Sequence, residues 1–408
     1  MLSRNHEKLK PASAIFSNKI ESALMKKKRV MCVFGTRPEA VKLAPVVQVL
    51  KQSKELEPIV VLTAQHREML DQMLRWFEIE PDFDMDIMKH GQSLAELSAR
   101  VLSGTDEILK KVQPDLLLVQ GDTNTVMSAS LAAHFHKVPV GHVEAGLRTD
   151  DRYNPFPEEM ARRITSQLAS IHFAPTQRAV ENLKLENICQ NVVLTGNTVI
   201  DALLETVKKL EGKPVVDTSL YGNADFQKYK VLLVTAHRRE NWGESMSEIA
   251  HALKEIADKF DDVQILYPIH KNPIVRETME PVFAGHPRLI LVEPLDYVPF
   301  VYAMQRSHFV LTDSGGIQEE APTLGKPVLV LRTNTERPEA AEAGVAKIVG
   351  VKRQGIFDAA AELLSNPASY QAMSSSVNPF GDGHASVRIV EATEKFLLEK
   401  ENCVGGRS

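Results

Sequence analysis

The sequence has only three cysteines and no long apolar run. Cys32, Cys189 and Cys403 form no CxxC pair and are odd in number, so neither a disulfide framework nor a structural zinc site is expected. No apolar run approaches the ~20 residues of a membrane helix, and residues 1–24 lack the apolar core of a signal peptide. These absences favour a protein of the reducing cytoplasm that does not enter the membrane.

Signatures of cofactor and metal enzymes are missing as well. No GxGxxG or GxxxxGK[ST] stands at the first strand-to-helix turn of either half, which disfavours NAD and Walker-type ATP sites. The histidines at strand ends, His66, His142, His237 and His270, form neither HxH nor HExxH. A net charge of −5 provides no positive field for nucleic acid. We therefore expect no metal, no cofactor and no nucleic acid partner.

The chain does contain a regular alternation of short, β-branched apolar runs with helical patterns. This alternation is typical of βα units and a parallel sheet. It lapses between Glu211 and Lys230, and 408 residues are too many for one ordinary core. We predict an α/β fold with two doubly wound domains, over residues 27–200 and 231–375. The prediction also includes a disordered leader over 1–26, a helix and linker over 201–230, and a final helix over 376–402 that packs back on either domain.

In open α/β sheets, ligands bind at the carboxyl ends of the strands, and in the second half one such end reads DSGG. A strand ends at Asp313 and Ser314, Gly315 and Gly316 allow close approach of a ligand, and a helix begins at once. The free N–H groups at the helix start and the Ser314 hydroxyl suit a phosphate, while Glu320 suits sugar hydroxyls. The alternative is a tight turn capped by Ser314.

Cations follow the first strand of each half, where a helix dipole is already positive. They are Arg37 and Lys42 in GTRPEAVK, and His237, Arg238 and Arg239 in TAHRREN. If the two sheets face each other across a cleft, these groups and the Ser-Gly-Gly turn surround one diphosphate. For Arg37 alone, the alternative is a solvated cation paired with Glu39.

Three acids form a second group of candidates. Asp122 in QGDTNT and Glu144 in HVEAGLR follow the ends of two strands, and Glu158 in PEEMARR opens a helix. Acids on the rim of a phosphate site suit proton transfer. The alternatives are that Asp122 caps the helix beginning at Thr123 and that Glu158 only complements a helix dipole.

Taken together and in order, these motifs closely resemble the non-hydrolysing UDP-N-acetylglucosamine 2-epimerases. The likeness covers about residues 28–395 and includes FGTRPEAVKLAP, TAQHREMLDQ, GDTNT, PVGHVEAGLRT, PEEMARR, LTGNTVIDAL, TAHRREN, YPIHKNP, LTDSGGIQEEAP, LGKPVLVLR and TERPEA. It implies two Rossmann-like domains in the GT-B arrangement, an active site in the cleft and a cytoplasmic homodimer. It also implies cofactor-free interconversion of UDP-GlcNAc and UDP-ManNAc, a precursor of surface polysaccharides, by elimination of UDP and re-addition.

The resemblance further implies roles for single residues. The diphosphate would be held by Arg37, His237, Ser314, Gly315 and Gly316, with Glu320 on the ribose, Phe300 near uracil, and Lys42 and Arg337 beside the leaving group or the sugar. The catalytic candidates are Asp122, Glu144, Glu158 and His237. Which acid removes the C2 proton and which returns it stays open.

The resemblance also implies a second UDP-GlcNAc site that activates the enzyme. Its residues would be Gln65, Glu158, Arg238 and His270. Glu68 and Gly91 depart from residues found in some relatives, so regulation is a hypothesis.

Three other functions stay open at this point. A glycosyltransferase of the same fold would have a similar nucleotide site, but it would need an acceptor groove. A hydrolysing epimerase would release free ManNAc, but such enzymes usually carry a kinase domain that this length cannot contain. From a different class, a nucleotide-sugar sensor would have no need of the three acids.

Overall fold

The computed structural model describes residues 27–63, 67–89, 91–211 and 217–405, and it contains two parallel β-sheets. The first sheet has seven strands in the order β3-β2-β1-β4-β5-β6-β7. These are β1 (Lys28–Phe34), β2 (Leu56–Leu62), β3 (Phe83–Asp84), β4 (Leu116–Gln120), β5 (Val140–Val143), β6 (Ile171–Ala174) and β7 (Val192–Leu194). Neighbours lie on both sides of β1, which is why its last five residues are all apolar and buried.

The second sheet has six strands in the order β10-β9-β8-β11-β12-β13. They are β8 (Lys230–Thr235), β9 (Val263–Pro268), β10 (Leu289–Val292), β11 (Phe309–Thr312), β12 (Val328–Val330) and β13 (Ala346–Ile348). Counted within the sheet, the order is 3-2-1-4-5-6, as in the Rossmann fold. The order reverses between β8 and β11, where ligand sites form in such sheets.

Helices connect the strands in both halves. The first half contains α1 (Arg37–Gln52), α2 (Arg67–Trp76), α3 (Leu94–Val112), α4 (Asn124–Phe135), α5 (Glu158–Leu168), α6 (Gln177–Leu185) and α7 (Thr198–Leu210). The second contains α8 (Glu244–Lys259), α9 (Pro273–Phe283), α10 (Tyr297–Arg306), α11 (Gly315–Glu320), α12 (Pro338–Glu342), α13 (Arg353–Ser365), α14 (Pro367–Ser374) and α15 (Ala385–Gly405). Short 3₁₀ helices cover Thr218–Tyr221, Arg239–Asn241 and Ala321–Leu324.

The turn from β1 into α1 is fixed by a capping box. The Thr36 hydroxyl accepts the N–H of Glu39, and the Glu39 carboxylate accepts the N–H groups of Gly35 and Thr36, each at 2.8 Å. Glu39 is 2% exposed and also accepts the Thr123 hydroxyl. Because Glu39 is occupied in this way, the alternative in which it pairs with Arg37 is not what the described structure contains.

The two halves meet along α7. This helix packs against α1 in the first half and against α10 and α11 in the second, and one buried apolar cluster includes residues from both sheets. The last helix, α15, packs against α1, α7 and β6. Its first N–H groups, from Ala385 and Ser386, donate to Asp201 of α7 at 3.2 and 2.7 Å.

The prediction of an α/β fold with two doubly wound sheets is confirmed. The strand expected in FDMDIM is limited to Phe83–Asp84. The leader lies outside the described residues, and the domain boundaries stay predictions. Within the part of the chain that the structure describes, no helix is long and apolar enough to cross a membrane.

Candidate active site

A cavity of about 430 Å³ lies between the two halves of the chain. Its wall comes from residues that follow strands of both sheets. The predicted site residues in this wall are Arg37, Lys42, His237, Phe300, Ser314, Gly316, Glu320 and Arg337. The cations that follow β1 and β8 therefore share one space with the Ser-Gly-Gly turn after β11.

Glu144 is tightly bound beside this cavity. It follows β5 with a φ of 65°, a left-handed conformation that is uncommon for non-glycine residues. Its carboxylate accepts Lys42 Nζ at 2.6 and 2.7 Å, and the side-chain amides of Gln120 and Asn197 also donate to it. Burial alone would raise the pKa of Glu144, but the charge and hydrogen bonds of Lys42 outweigh burial and lower it.

Asp122 has a pKa that shifts in the opposite direction to that of Glu144. Its carboxylate accepts Arg162 of α5, yet burial and the negative charge of Glu144 raise the pKa of Asp122. The residue that caps α4 is Thr123, whose hydroxyl accepts the N–H of Val126 at 3.3 Å. Asp122 is therefore not the helix cap.

Glu158 shares no hydrogen bond or ion pair with the other two acids among the described residues. It is the first residue of α5 and half-buried. Like Asp122 and Glu144, it is not among the residues that line the cavity, and it forms no hydrogen bond or ion pair with another described side chain. The next residue, Glu159, is fully buried and pairs with Arg162 and Arg163. A role of Glu158 in proton transfer stays a prediction.

Asp313 orients the residues that follow β8. It is fully buried and accepts the N–H groups of His237 and Arg238, each at 2.8 Å, and the Asn241 amide at 3.0 Å. Nδ1 of His237 lies 3.5 Å from Asp313 Oδ1. The His237 ring stacks on His270, with centroids 5.4 Å apart. Asp313 therefore holds the backbone of His237, and the His237 ring contacts both Asp313 and His270.

The Ser-Gly-Gly turn is open towards the cavity. Ser314 stands at the cap position of α11, but its hydroxyl makes no cap hydrogen bond, so the alternative of a serine-capped turn does not account for it. Nothing lies within 4 Å of the position that a Cβ on Gly316 would take. On Gly315, a Cβ would meet Arg238 and Arg337 at 3.8 and 4.0 Å. The turn thus presents a free hydroxyl and open backbone next to two guanidinium groups.

Two acids on α11 have different surroundings. Glu319 is 2% exposed and accepts Arg337 Nε and, at 2.7 Å, Asn197 Nδ2. Glu320 lines the cavity, where burial and the charge of Glu319 raise its pKa to about 8, against the opposing charges of Lys42 and Arg37. The raised pKa favours the protonated form of Glu320 at neutral pH.

The residues expected for a second nucleotide site are placed in part. Gln65 lies outside the described residues, and the side chain of Glu68 is likewise not described. Arg238 donates to Glu336 at 3.1 Å. His270 lines a smaller cavity of about 130 Å³ that shares His237 and Phe300 with the main one. Of the residues expected for this site, His270 therefore lies beside the main cavity.

Asn197 and Glu319 were given no role by the sequence. Both stand in motifs that the sequence singled out, LTGNT and SGGIQEE. Asn197 stands three residues after the end of β7, so the rule that ligands bind at the ends of strands would have pointed to it. Among the described residues, no group of three or more His, Cys, Asp or Glu is arranged to hold a metal ion.

Comparison with known proteins agrees with this fold. A model of the family described as UDP-N-acetylglucosamine 2-epimerase matches residues 48–394. The Bacillus subtilis UDP-N-acetylglucosamine 2-epimerase is 51% identical over 90% of this chain and 95% of its own. The crystal structure of the Neisseria meningitidis UDP-GlcNAc 2-epimerase bound to UDP-GlcNAc is 48% identical, covers 90% of this chain and 100% of its own, and has a TM-score of 0.82.

A Staphylococcus aureus structure with UDP is 45% identical, covers 91% of this chain and 97% of its own, and has a TM-score of 0.81. Its fold and that of the Neisseria protein match both sheets of this chain over nearly their whole length. From the family match and these identities, we conclude that the chain belongs to the UDP-N-acetylglucosamine 2-epimerase family.

Proposed function

We propose that this protein interconverts UDP-GlcNAc and UDP-ManNAc by elimination and re-addition of UDP. The C2 proton of the sugar has no neighbouring carbonyl to acidify it, so its removal needs another driving force. Departure of UDP supplies that force: a carboxylate takes the C2 proton, the C–H electron pair forms the C1=C2 bond of 2-acetamidoglucal, and the C1–O pair leaves on UDP. Protonation of C2 from the other face, with attack of the diphosphate on C1, completes the inversion.

The observation that carries the proposal is a cavity lined by cations, with Glu144 bound to one of them and Asp122 close enough to Glu144 to be influenced by its charge. Arg37, Lys42 and Arg337 surround the space where a diphosphate would develop charge. Glu144 and Asp122 have pKa shifts of opposite direction, so the pair offers one ionised and one more readily protonated carboxyl, as two proton transfers require. Its relatives bind UDP-GlcNAc and UDP, which supports the same ligands here.

The nucleotide contacts follow from the same cavity. Ser314, Gly315, Gly316 and His237 would hold the diphosphate together with Arg37. Glu320 would face the ribose and Phe300 the uracil, since both line the wall. We further propose a cytoplasmic homodimer that hydrolyses no substrate and serves polysaccharide synthesis.

A regulatory UDP-GlcNAc site is part of the proposal. It would use Arg238 and His270 beside the main cavity, together with Gln65 and Glu158. Initial rates with UDP-ManNAc alone should be sigmoidal or low, and added UDP-GlcNAc should raise them. Hyperbolic kinetics with no effect of UDP-GlcNAc would speak against this site.

Proton NMR of the purified protein with UDP-GlcNAc in D₂O tests the proposed reaction. We expect a mixture of both nucleotide sugars with deuterium at C2. Complete retention of the C2 proton would contradict the mechanism. Free ManNAc with UDP would indicate a hydrolase, and unchanged substrate would favour a transferase or a sensor.

A further inference from the structure

Asn197 joins an acid of the first half to an acid of the second. It is 3% exposed, and its Nδ2 donates to Glu144 Oε1 at 2.9 Å and to Glu319 Oε2 at 2.7 Å. A carboxamide nitrogen carries two N–H groups, so both donors are used on carboxylates. These two acids come from different sheets: Glu144 follows β5, and Glu319 lies on α11 after β11.

The remaining polar groups of Asn197 are occupied as well. Its Oδ1 accepts the N–H of Val199 at 3.1 Å and so caps α7, and its backbone N–H donates to Phe380 O at 2.7 Å. Rotating the amide by 180° would turn its oxygen towards two carboxylates and would lose the cap. The orientation is therefore dictated by the partners.

The chain of contacts continues to the cavity on both sides. Lys42 holds Glu144, Arg337 holds Glu319, and both cations line the cavity. Asn378, on the segment that returns to the first half, donates to the backbone oxygen of Glu319 at 2.8 Å. A continuous series of hydrogen bonds and ion pairs thus connects the two halves through one side-chain amide, that of Asn197.

We propose that Asn197 is a positioning residue that orients the Glu144 carboxylate and ties it to Glu319 of the second half. The inference rests on the proposed function, in which Glu144 takes part in proton transfer. One N–H of the amide fixes Glu144, and the other is held by Glu319, so the amide cannot turn away from Glu144 without leaving a buried carboxylate short of a donor.

Asn197→Asp tests this role. The variant keeps the side-chain shape and a capping oxygen for α7, but it places a carboxylate where the shared donor stood. Loss of a hydrogen bond to a charged group predicts a decrease in kcat of about 10- to 100-fold, with KM and UDP affinity little changed. The acid limb of the pH profile of kcat should also move to higher pH, because Glu144 loses a donor and gains a negative neighbour.

The pH readout is interpretable because the other groups around Glu144 are the same in both proteins. The charged ones are Lys42, Arg337 and Asp122, and the buried neutral ring of His142 lies nearby. Asn197→Ser keeps a capping oxygen without adding charge, so it should lower kcat with a smaller shift of the acid limb.

Rescue and a matched control complete the experiment. Glu319→Gln on the Asn197→Asp background supplies an amide donor from the other side, and it should recover part of the lost kcat. Asn191→Asp removes an amide that donates to Ser170 O at 3.0 Å, at the opposite end of the sheet, and it should leave kcat and the pH profile as they are.

Three results would overturn the proposal. With an active wild type, unchanged kcat and pH profile in Asn197→Asp would show that Glu144 does not need the amide. A change in KM or thermal stability alone would make Asn197 a binding or structural residue. A wild type that binds UDP but does not epimerise UDP-GlcNAc would refute the proposed function itself, and the role of Asn197 in turnover with it.

Discussion

Glu320→Gln should change how the stability of the protein depends on pH. The pKa of Glu320 rises from 4.5 to about 8 in the folded chain because of burial and the nearby charge of Glu319. A proton held more tightly by the folded state stabilises that state. Since the folded pKa is raised, the contribution is fully present below about pH 4.5 and is lost as the pH rises through about 8.

The magnitude follows from the two pKa values. Linkage gives a contribution of roughly 3 kcal/mol to the free energy of unfolding at pH 6, and close to zero at pH 9. Glutamine has a similar shape and stays neutral at every pH, so Glu320→Gln should not lose this contribution. The variant should therefore become more stable than the wild type as the pH rises, by about 2–3 kcal/mol between pH 6 and pH 9.

Urea unfolding without nucleotide, followed by tryptophan fluorescence, measures the difference. The chain has two tryptophans, and Trp242 lies in the same half as Glu320, which makes it a suitable reporter. Glu277→Gln, on the exposed face of α9, is the control and should follow the wild-type pH dependence. If the free energy of unfolding of Glu320→Gln and of the wild type changed in the same way from pH 6 to pH 9, the raised pKa of Glu320 would be refuted.

Three further predictions concern the acids, a turn and the last helix. Asp122→Asn and Glu144→Gln should each lower turnover by about 10²–10⁴-fold while UDP binding survives; wild-type turnover in either variant would remove that acid from the mechanism. Gly146→Ala should lower the melting temperature and cost about 3 kcal/mol, because its φ is 93° and a Cβ would lie 2.2 Å from the Ala179 oxygen. Gly285 has a similar φ of 73°, but nothing lies within 4 Å of the position that a Cβ would take there. An equal loss of stability in Gly285→Ala would therefore mean that the clash at Gly146 is unimportant. Asp201→Ala should speed hydrogen exchange at the start of α15 and cost about 1 kcal/mol, and unchanged exchange would show that this cap is dispensable.

The sequence was informative about the sheets because each strand is a local pattern. β1 and β8 are short apolar runs that end in polar turns, and their length, their β-branched residues and the turn signals beside them identify such runs as strands. The short β3 shows the limit of this reasoning. FDMDIM alternates like a strand, but only two of its residues pair with β2. The length of a strand also depends on how many residues the neighbouring strand offers for pairing, and the local pattern does not contain that information.

The site was predictable where single residues follow a strand, and not where distant residues share a hydrogen bond. Arg37, His237 and Ser314 were found because each stands directly after a strand in its own motif. The Asn197 amide contacts acids that are 53 and 122 positions away in the chain. No local pattern carries that information, since it arises only when the two sheets are packed together.

The same packing explains why cations follow β1 in the first place. Lys42 is held by Glu144 and Arg337 by Glu319, so an arriving diphosphate must compete with a carboxylate for either of them. Arg37 is different, because its neighbour Glu39 is committed to the capping box and to Thr123. Among the described residues Arg37 has no ion-pair partner, although it lines the cavity. The turn after β1 thus keeps one cation free for an anion while the paired cations hold the acids in place.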